Sequence, residues 1–170
     1  MYIEKYWGDL IGGSDDSLNL VAFLEDVKKE EITLDEIFIK IGLAKQNGKF
    51  RCTKEPLEFA HSIGVVMDFH FAIDLITDLA AILLECKVSG SVDLHELFDS
   101  EDVASRNIRV TATKEEYEII EEALTDFTKD PTAYDLYEMI GDDIFDMAAV
   151  AAELLKELRQ TGALSPKSSS

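Results

Sequence analysis

The histidines are the first residues to consider for chemistry, because imidazole is the side chain that ordinarily titrates near neutral pH. There are three, His61, His70 and His95, spread over the middle of the chain. Asp68 and His70 lie in a run with the period of a strand and share one face, a spacing that could bind a metal or pair an acid with a base. No third ligand accompanies them, so a solvated strand face is the ordinary interpretation. An enzyme that uses this pair is one hypothesis.

Other chemical motifs are missing from the sequence. It contains no HExxH, GxSxG, Walker or GxGxxG pattern. The acidic runs at 99–102 and 141–146 lack the alternating order of a calcium-binding loop. Cys52 and Cys86 form no CxxC or CxxH pair, which favours buried free thiols. We therefore predict no catalytic residue, no metal site and no cofactor.

Helical periodicity dominates the elements that would position any site. Apolar spacing predicts helices over about 3–11, 14–29, 33–42, 72–87, 113–131 and 144–162, with a short turn at 94–97. Thr33 and Thr113 each precede a Glu by three residues, the spacing of a capping box. The helix over 72–87 is the most apolar and is expected at the centre of the core. Its polar residues fall on one stripe, which we expect to be its accessible part: Asp74, Thr77, Asp78 and Glu85.

Strand-like alternation is confined to the middle of the chain. It predicts three short strands over 49–53, 65–71 and 108–112. The predicted fold is α+β, a helix-rich single domain with a small antiparallel sheet of about three strands. We expect one acidic globular domain over 1–163, followed at 164–170 by a disordered tail or an expression remnant.

The charge balance is the strongest signal in the composition. There are 35 Asp and Glu against 16 Lys and Arg, a formal net charge of −19, while a hydrophobic content of 46% excludes an acidic disordered chain. Between 55 and 105 only Lys87 opposes eleven acids, so that segment carries 1 − 11 = −10. Such a charge repels nucleic acid and anionic membranes and favours a basic protein partner.

The N-terminus lacks the basic and apolar regions of a signal peptide, and no apolar stretch reaches membrane-spanning length. These features predict a cytoplasmic protein.

Two stretches resemble a known family. They are YWGDLIGGSDDSL at 6–18 and the segment 71–92, which contains FAIDL and LLECKVSGSV. They resemble small acidic bacterial immunity proteins of interbacterial toxin systems, including contact-dependent growth inhibition, and the resemblance runs from about Tyr2 to Leu158. It implies a cytoplasmic inhibitor that binds the C-terminal toxin domain of a delivered effector, often a basic RNase or DNase, and blocks its active site.

Two segments are predicted to bind this partner. The first combines an acidic rim with two apolar anchors: Asp93, Glu96, Leu97, Phe98, Asp99, Glu101 and Asp102. The second interleaves tyrosines, which are enriched at interface hot spots, with acids: Tyr134, Asp135, Tyr137 and Glu138.

An acidic adaptor or assembly protein for another basic target is the alternative, since it would share this composition. Gene context would separate the two, because an immunity gene should directly follow a large toxin gene. The sequence leaves the oligomeric state open.

Overall fold

The computed structural model describes residues 1–8, 10–98 and 106–169, with side chains as far as Thr161. These residues contain seven α-helices: α1 (Asp15–Asp26), α2 (Leu34–Ile41), α3 (Ala72–Ser89), α4 (Leu94–Leu97), α5 (Lys114–Lys129), α6 (Leu136–Ile140) and α7 (Asp143–Ser169). Short 3-10 turns lie at Tyr2–Lys5, Ala44–Gln46 and Pro131–Ala133. None of the described helices has the length and apolar character needed to cross a membrane.

The strands are short and form two small sheets. They are β1 (Glu31–Thr33), β2 (Leu57–Ala60), β3 (Val66–Phe69), β4 (Val92–Asp93) and β5 (Asn107–Thr111). One sheet has the order β1-β5-β4, in which β1 is parallel and β4 antiparallel to β5. The other is the antiparallel hairpin β2-β3. The α+β class is confirmed, but the strands form two sheets, one of them mixed, where the sequence predicted a single antiparallel one.

The strand predicted over 49–53 is wrong. This stretch is a loop held by side chains, and it makes no ladder. The Thr53 amide donates to Asp135 Oδ2 at 2.9 Å, and the Arg51 carbonyl accepts from the Asp135 amide at 2.8 Å. These bonds satisfy backbone groups that a strand would pair. Cys52 in this loop is exposed, against expectation, while Cys86 is buried as predicted.

Helix α3 lies at the centre of the core, packed by α1, α5, α7 and the N-terminal turn. Its polar stripe was expected to be accessible and is instead buried. Asp78 accepts from the Gly12 amide at 2.9 Å and from the Ser17 hydroxyl at 2.6 Å, and Glu85 accepts from the Ile3 amide at 3.1 Å. The stripe therefore anchors the N-terminal segment, because buried carboxylates need such donors.

The helix predicted over 3–11 is also wrong. After the first 3-10 turn the chain folds back, and the indole Nε1 of Trp7 donates to the Leu97 carbonyl at 2.9 Å. The Trp7 ring then covers Gly12, whose φ is +88° and where an added Cβ would lie 2.3 Å from the ring. Only glycine fits this position, because it combines a left-handed backbone with contact against an aromatic face.

The predicted helix starts are largely confirmed. Thr113 and Glu116 form both bonds of a capping box at α5. Thr33 caps α2, but Glu36 bonds Lys29 at 2.9 Å instead of completing the box. Helix α7 continues past Gly162, where the sequence predicted its end. The expectation of a tail at 164–170 stays a prediction.

Candidate partner-binding site

The first predicted binding segment is described only up to Phe98. Asp93 is half-buried and caps α4, accepting from the His95 amide at 3.0 Å, and Glu96 is exposed. Leu97 is buried in the core, and Phe98 is partly buried against it. The remaining acids of the segment lie outside the described residues: Asp99, Glu101 and Asp102. Of the part described, Glu96 is the side chain most open to a partner.

The second predicted segment begins with residues that hold the fold. Tyr134 is buried, and its hydroxyl donates to Asp126 at 2.6 Å. Arg51 donates to both oxygens of the same carboxylate, at 2.8 and 2.6 Å. These bonds lower the pKa of Asp126 to about 2, with the Arg51 hydrogen bond as the main cause. Tyr134 therefore lies beneath the surface, and Asp126 on α5 joins it to Arg51 in the loop before β2.

The later residues of this segment lie closer to the surface. Asp135 still accepts from the Thr53 amide at 2.9 Å, whereas Glu138 is exposed. Tyr137 is half-buried and packs edge-on against Phe145, with ring centroids 6.3 Å apart. Phe145 and Met139 are large apolar side chains that are 50% and 72% exposed. Exposed aromatic and Met side chains are typical of interfaces, so this corner between α6 and α7 is a candidate contact surface.

A cleft of about 580 Å³ lies beside this corner, and we call it the α1–α6 cleft. Its walls come from the loop before α1, the start of α3, α6 and the first turns of α7. The apolar lining consists of Leu10, Phe71, Leu136, Met139, Ile140 and Met147. The polar lining consists of Ser14, Asp15, Asp16, His70 and Asp74. Leu136 and Met139 thus connect the cleft to the second predicted segment.

Acidic side chains dominate the polar side of the cleft. Asp15 is exposed in the first turn of α1, and Asp74 is only 4% exposed. The pKa of Asp74 is raised to about 6, mainly by burial and to a smaller extent by the nearby charge of Asp16, whereas a hydrogen bond from Ser14 opposes the shift. Behind it, burial and the Asp74 charge hold the pKa of Asp78 well above its usual range. The cleft therefore contains a carboxyl group that is costly to ionise.

Asp16 has a structural part in the same cleft. It accepts from the backbone amides of His70 and Phe71 at 2.9 Å each, which joins the start of α1 to the start of α3. The His70 Nδ1 lies 3.1 Å from Asp16 Oδ1, so the histidine pairs with Asp16. The carboxylate that the spacing suggested, Asp68, is exposed on β3. Across the described ranges, no group of three His, Cys, Asp or Glu side chains is placed to hold a metal ion.

Comparison with known proteins gives one decisive finding. Residues 2–158 match the model of the family described as Immunity protein 68. The chain belongs to this family. It is thus an immunity protein of a toxin–immunity system, as the resemblance at 6–18 and 71–92 implied. No match emerged from comparison with curated proteins or with solved structures.

This cleft was not predicted from the sequence, although Leu136 of its lining lies within the second predicted segment. Its walls come from segments up to 137 residues apart, from Leu10 to Met147, and no local pattern joins them. One signal was available: Asp74 interrupts the most apolar helix of the chain, where a carboxyl group is costly without a reason.

Proposed function

We propose that this immunity protein binds a basic nuclease toxin domain, an RNase or a DNase, and covers its active site or nucleic-acid groove. The observation that carries the proposal is the net charge of −19 in a member of an immunity family. Nucleases need basic surfaces to bind phosphate, and an acidic protein of matching shape can occupy such a surface. The toxin belongs to a contact-dependent delivery system, and neutralisation takes place in the cytoplasm.

The charge and the apolar surface have separate roles in this proposal. Long-range attraction accelerates encounter with a basic partner, and contacts made by buried anchors set the rate of dissociation. The corner between α6 and α7 offers both kinds of group, since Met139 and Phe145 are exposed near three exposed acids: Asp142, Asp143 and Asp146. Between 131 and 155 there is no Lys or Arg to oppose them.

The acidic segment at 93–102 is proposed as a second contact surface. We predict that reversing the charge of Asp99, Glu101 and Asp102 together weakens toxin binding by more than about 2 kcal/mol, through lost pairing and new repulsion. The measurement is biolayer interferometry at fixed salt.

The control for this reversal is an acid on an exposed face of α7. Glu153 is suitable, because it is exposed. Glu157 is unsuitable, because Tyr2, Tyr6 and Lys5 all bond its carboxylate and a change there would disturb the fold. Equal and small effects at the triple site and at Glu153 would contradict the assignment of 93–102.

The direct experiment on the proposed function is co-purification with the C-terminal domain of the toxin encoded upstream. We expect a complex that survives gel filtration and has no nuclease activity. A toxin domain that stays active in the complex would contradict the occlusion of its active site. A domain that is acidic, or that cleaves no nucleic acid, would contradict the nuclease proposal while leaving the family assignment in place.

A further inference from the structure

The α1–α6 cleft combines a long apolar wall with carboxyl groups, and this combination specifies a ligand. Six apolar side chains line it, and its polar lining includes Asp15, Asp16 and Asp74 with no Lys or Arg among the lining residues. A ligand that suits it has an apolar stem and a cationic end. Lysine and arginine side chains have this form, because both carry methylene stems that pack on apolar surface beneath a charged head.

We propose that the α1–α6 cleft receives a lysine or arginine side chain of the toxin domain. The inference rests on the proposed function, since it takes the partner to be a basic protein. Charge complementarity supports this proposal in two ways. The whole chain has a net charge of −19, which attracts a basic partner, and the lining of the cleft is itself acidic.

A protein partner suits the cleft better than a free amine, because its apolar surface continues outside. Met139 lines the cleft and is 72% exposed, and the exposed Phe145 follows at the start of α7. A protein surface that inserted one cationic side chain would also cover these two residues. Interfaces are commonly organised in this way, with an anchor in a pocket and apolar contacts that exclude water around it.

The burial and the raised pKa of Asp74 are consistent with a cationic ligand in the cleft. Its carboxyl group is nearly buried and has a raised pKa, with the Ser14 hydroxyl as a weakly compensating partner. A cation placed against this carboxylate would favour its ionised form. Among the described residues that line the cleft, no Lys or Arg is present to pair with Asp74. The cationic side chain of the toxin would supply this missing positive charge.

The test compares two double variants that remove the same charge. Asp15→Asn with Asp74→Asn changes the cleft, and Glu118→Gln with Glu153→Gln removes two exposed acids from α5 and α7. Because both lose two negative charges, long-range attraction falls about equally in each. Asp16 is left intact because its amide bonds hold the fold. The probe is the C-terminal toxin domain, made inactive by mutation, and circular dichroism checks that each variant is folded.

We expect the cleft variant to raise the Kd at least about 30-fold, mainly through faster dissociation, and the control to change it less than about threefold. A cleft variant that binds within threefold of the control would overturn the proposal. If the unaltered protein fails to bind, the proposed function fails and the inference fails with it. If the unaltered protein and the cleft variant both bind normally, only the proposal for the cleft is contradicted and the proposed function stands.

A double-mutant cycle identifies the occupant. Each Lys and Arg of the toxin surface is replaced by Ala and measured against the unaltered protein and the cleft variant. One toxin residue should lose most of its effect in the cleft background, because coupling of this size arises between groups in contact. Effects that add for every Lys and Arg would contradict a cationic occupant.

Discussion

Replacement of Asp74 by Asn should make the free protein more stable at neutral pH. The carboxyl group lies on α3 at the floor of the α1–α6 cleft, 4% exposed, beside the acids Asp16 and Asp78. Asn has nearly the same shape, carries no charge and can still accept from the Ser14 hydroxyl. The change therefore removes the cost of ionising this group and leaves its packing largely intact.

The magnitude follows from the pKa. The pKa of Asp74 is raised from 3.8 to about 6, and at roughly 1.4 kcal/mol per pH unit this corresponds to about 3 kcal/mol at pH 7.5. Burial of the polar Asn amide has a free-energy cost of its own, which reduces this gain in stability. We expect a net increase in the free energy of unfolding of about 1–3 kcal/mol.

The pH dependence distinguishes this cause from simple repacking. Because the folded-state pKa lies above the unfolded-state pKa, the folded protein binds more protons between pH 3.8 and about 6. The contribution of Asp74 to stability is therefore fully present below pH 3.8 and is lost as the pH rises through about 6. The advantage of the Asn variant should be large at pH 7.5 and small at pH 4.

The assay is urea denaturation followed by circular dichroism at pH 4, 5.5 and 7.5. Glu153→Gln is the control, because it removes one exposed charge and should change stability by less than about 0.5 kcal/mol at every pH. An Asn variant no more stable than the unaltered protein at pH 7.5 would refute the reasoning. So would a gain of equal size at pH 4 and pH 7.5.

Three further predictions concern the N-terminal loop, association and catalysis. Gly12→Ala should lower the free energy of unfolding by about 3 kcal/mol or more, because the backbone of Gly12 has a positive φ and an added Cβ would collide with the Trp7 ring. A loss under about 1 kcal/mol in urea denaturation would contradict this packing. The association rate constant with the toxin domain should fall about tenfold or more from low salt to roughly 0.5 M, while the dissociation rate constant changes little. An association rate constant that does not change with salt in stopped flow would show that the acidity serves solubility alone. His70→Ala should leave toxin inhibition within a few-fold of the unaltered protein, since Asp16 keeps its two backbone bonds; complete loss in a folded variant would favour an enzymatic role.

Local patterns predicted six of the seven described α-helices, whereas α6 was missed and the helix predicted over 3–11 was wrong. Helix α3 and the capping box at Thr113 follow from apolar spacing and from residues three apart, which interact within one element. The short strands were harder. Strand β1 has three residues and pairs in parallel with β5, whose residues lie 78 positions further along the chain, so alternation within β1 carried no signal.

The interpretation of the α3 polar stripe failed for a related reason. Periodicity correctly placed Asp78 and Glu85 on one side of the helix, but it could not show what covers them. Their donors, the amides of Gly12 and Ile3, are 66 and 82 residues away. A stripe of acids that faces backbone amides and one that faces water have the same sequence pattern.

The candidate site shows the same division between local and distant information. The segment at 134–138 was selected for its tyrosines, yet Tyr134 packs inside while the neighbouring Met139 is exposed. A sequence identifies residue types suited to an interface, and the tertiary contacts decide which of them reach the surface.

The central claim is that this immunity protein acts by stoichiometric binding to its toxin, and titration of toxin activity tests it most directly. A fixed concentration of the toxin domain, well above the Kd, is mixed with increasing amounts of this protein, and the residual toxin activity is measured. We predict a linear fall to zero at a fixed molar ratio, with full activity recovered when the complex is denatured and the toxin refolded alone. Activity that persists at a molar excess of this protein, or that disappears at substoichiometric amounts and stays lost after separation, would contradict the account.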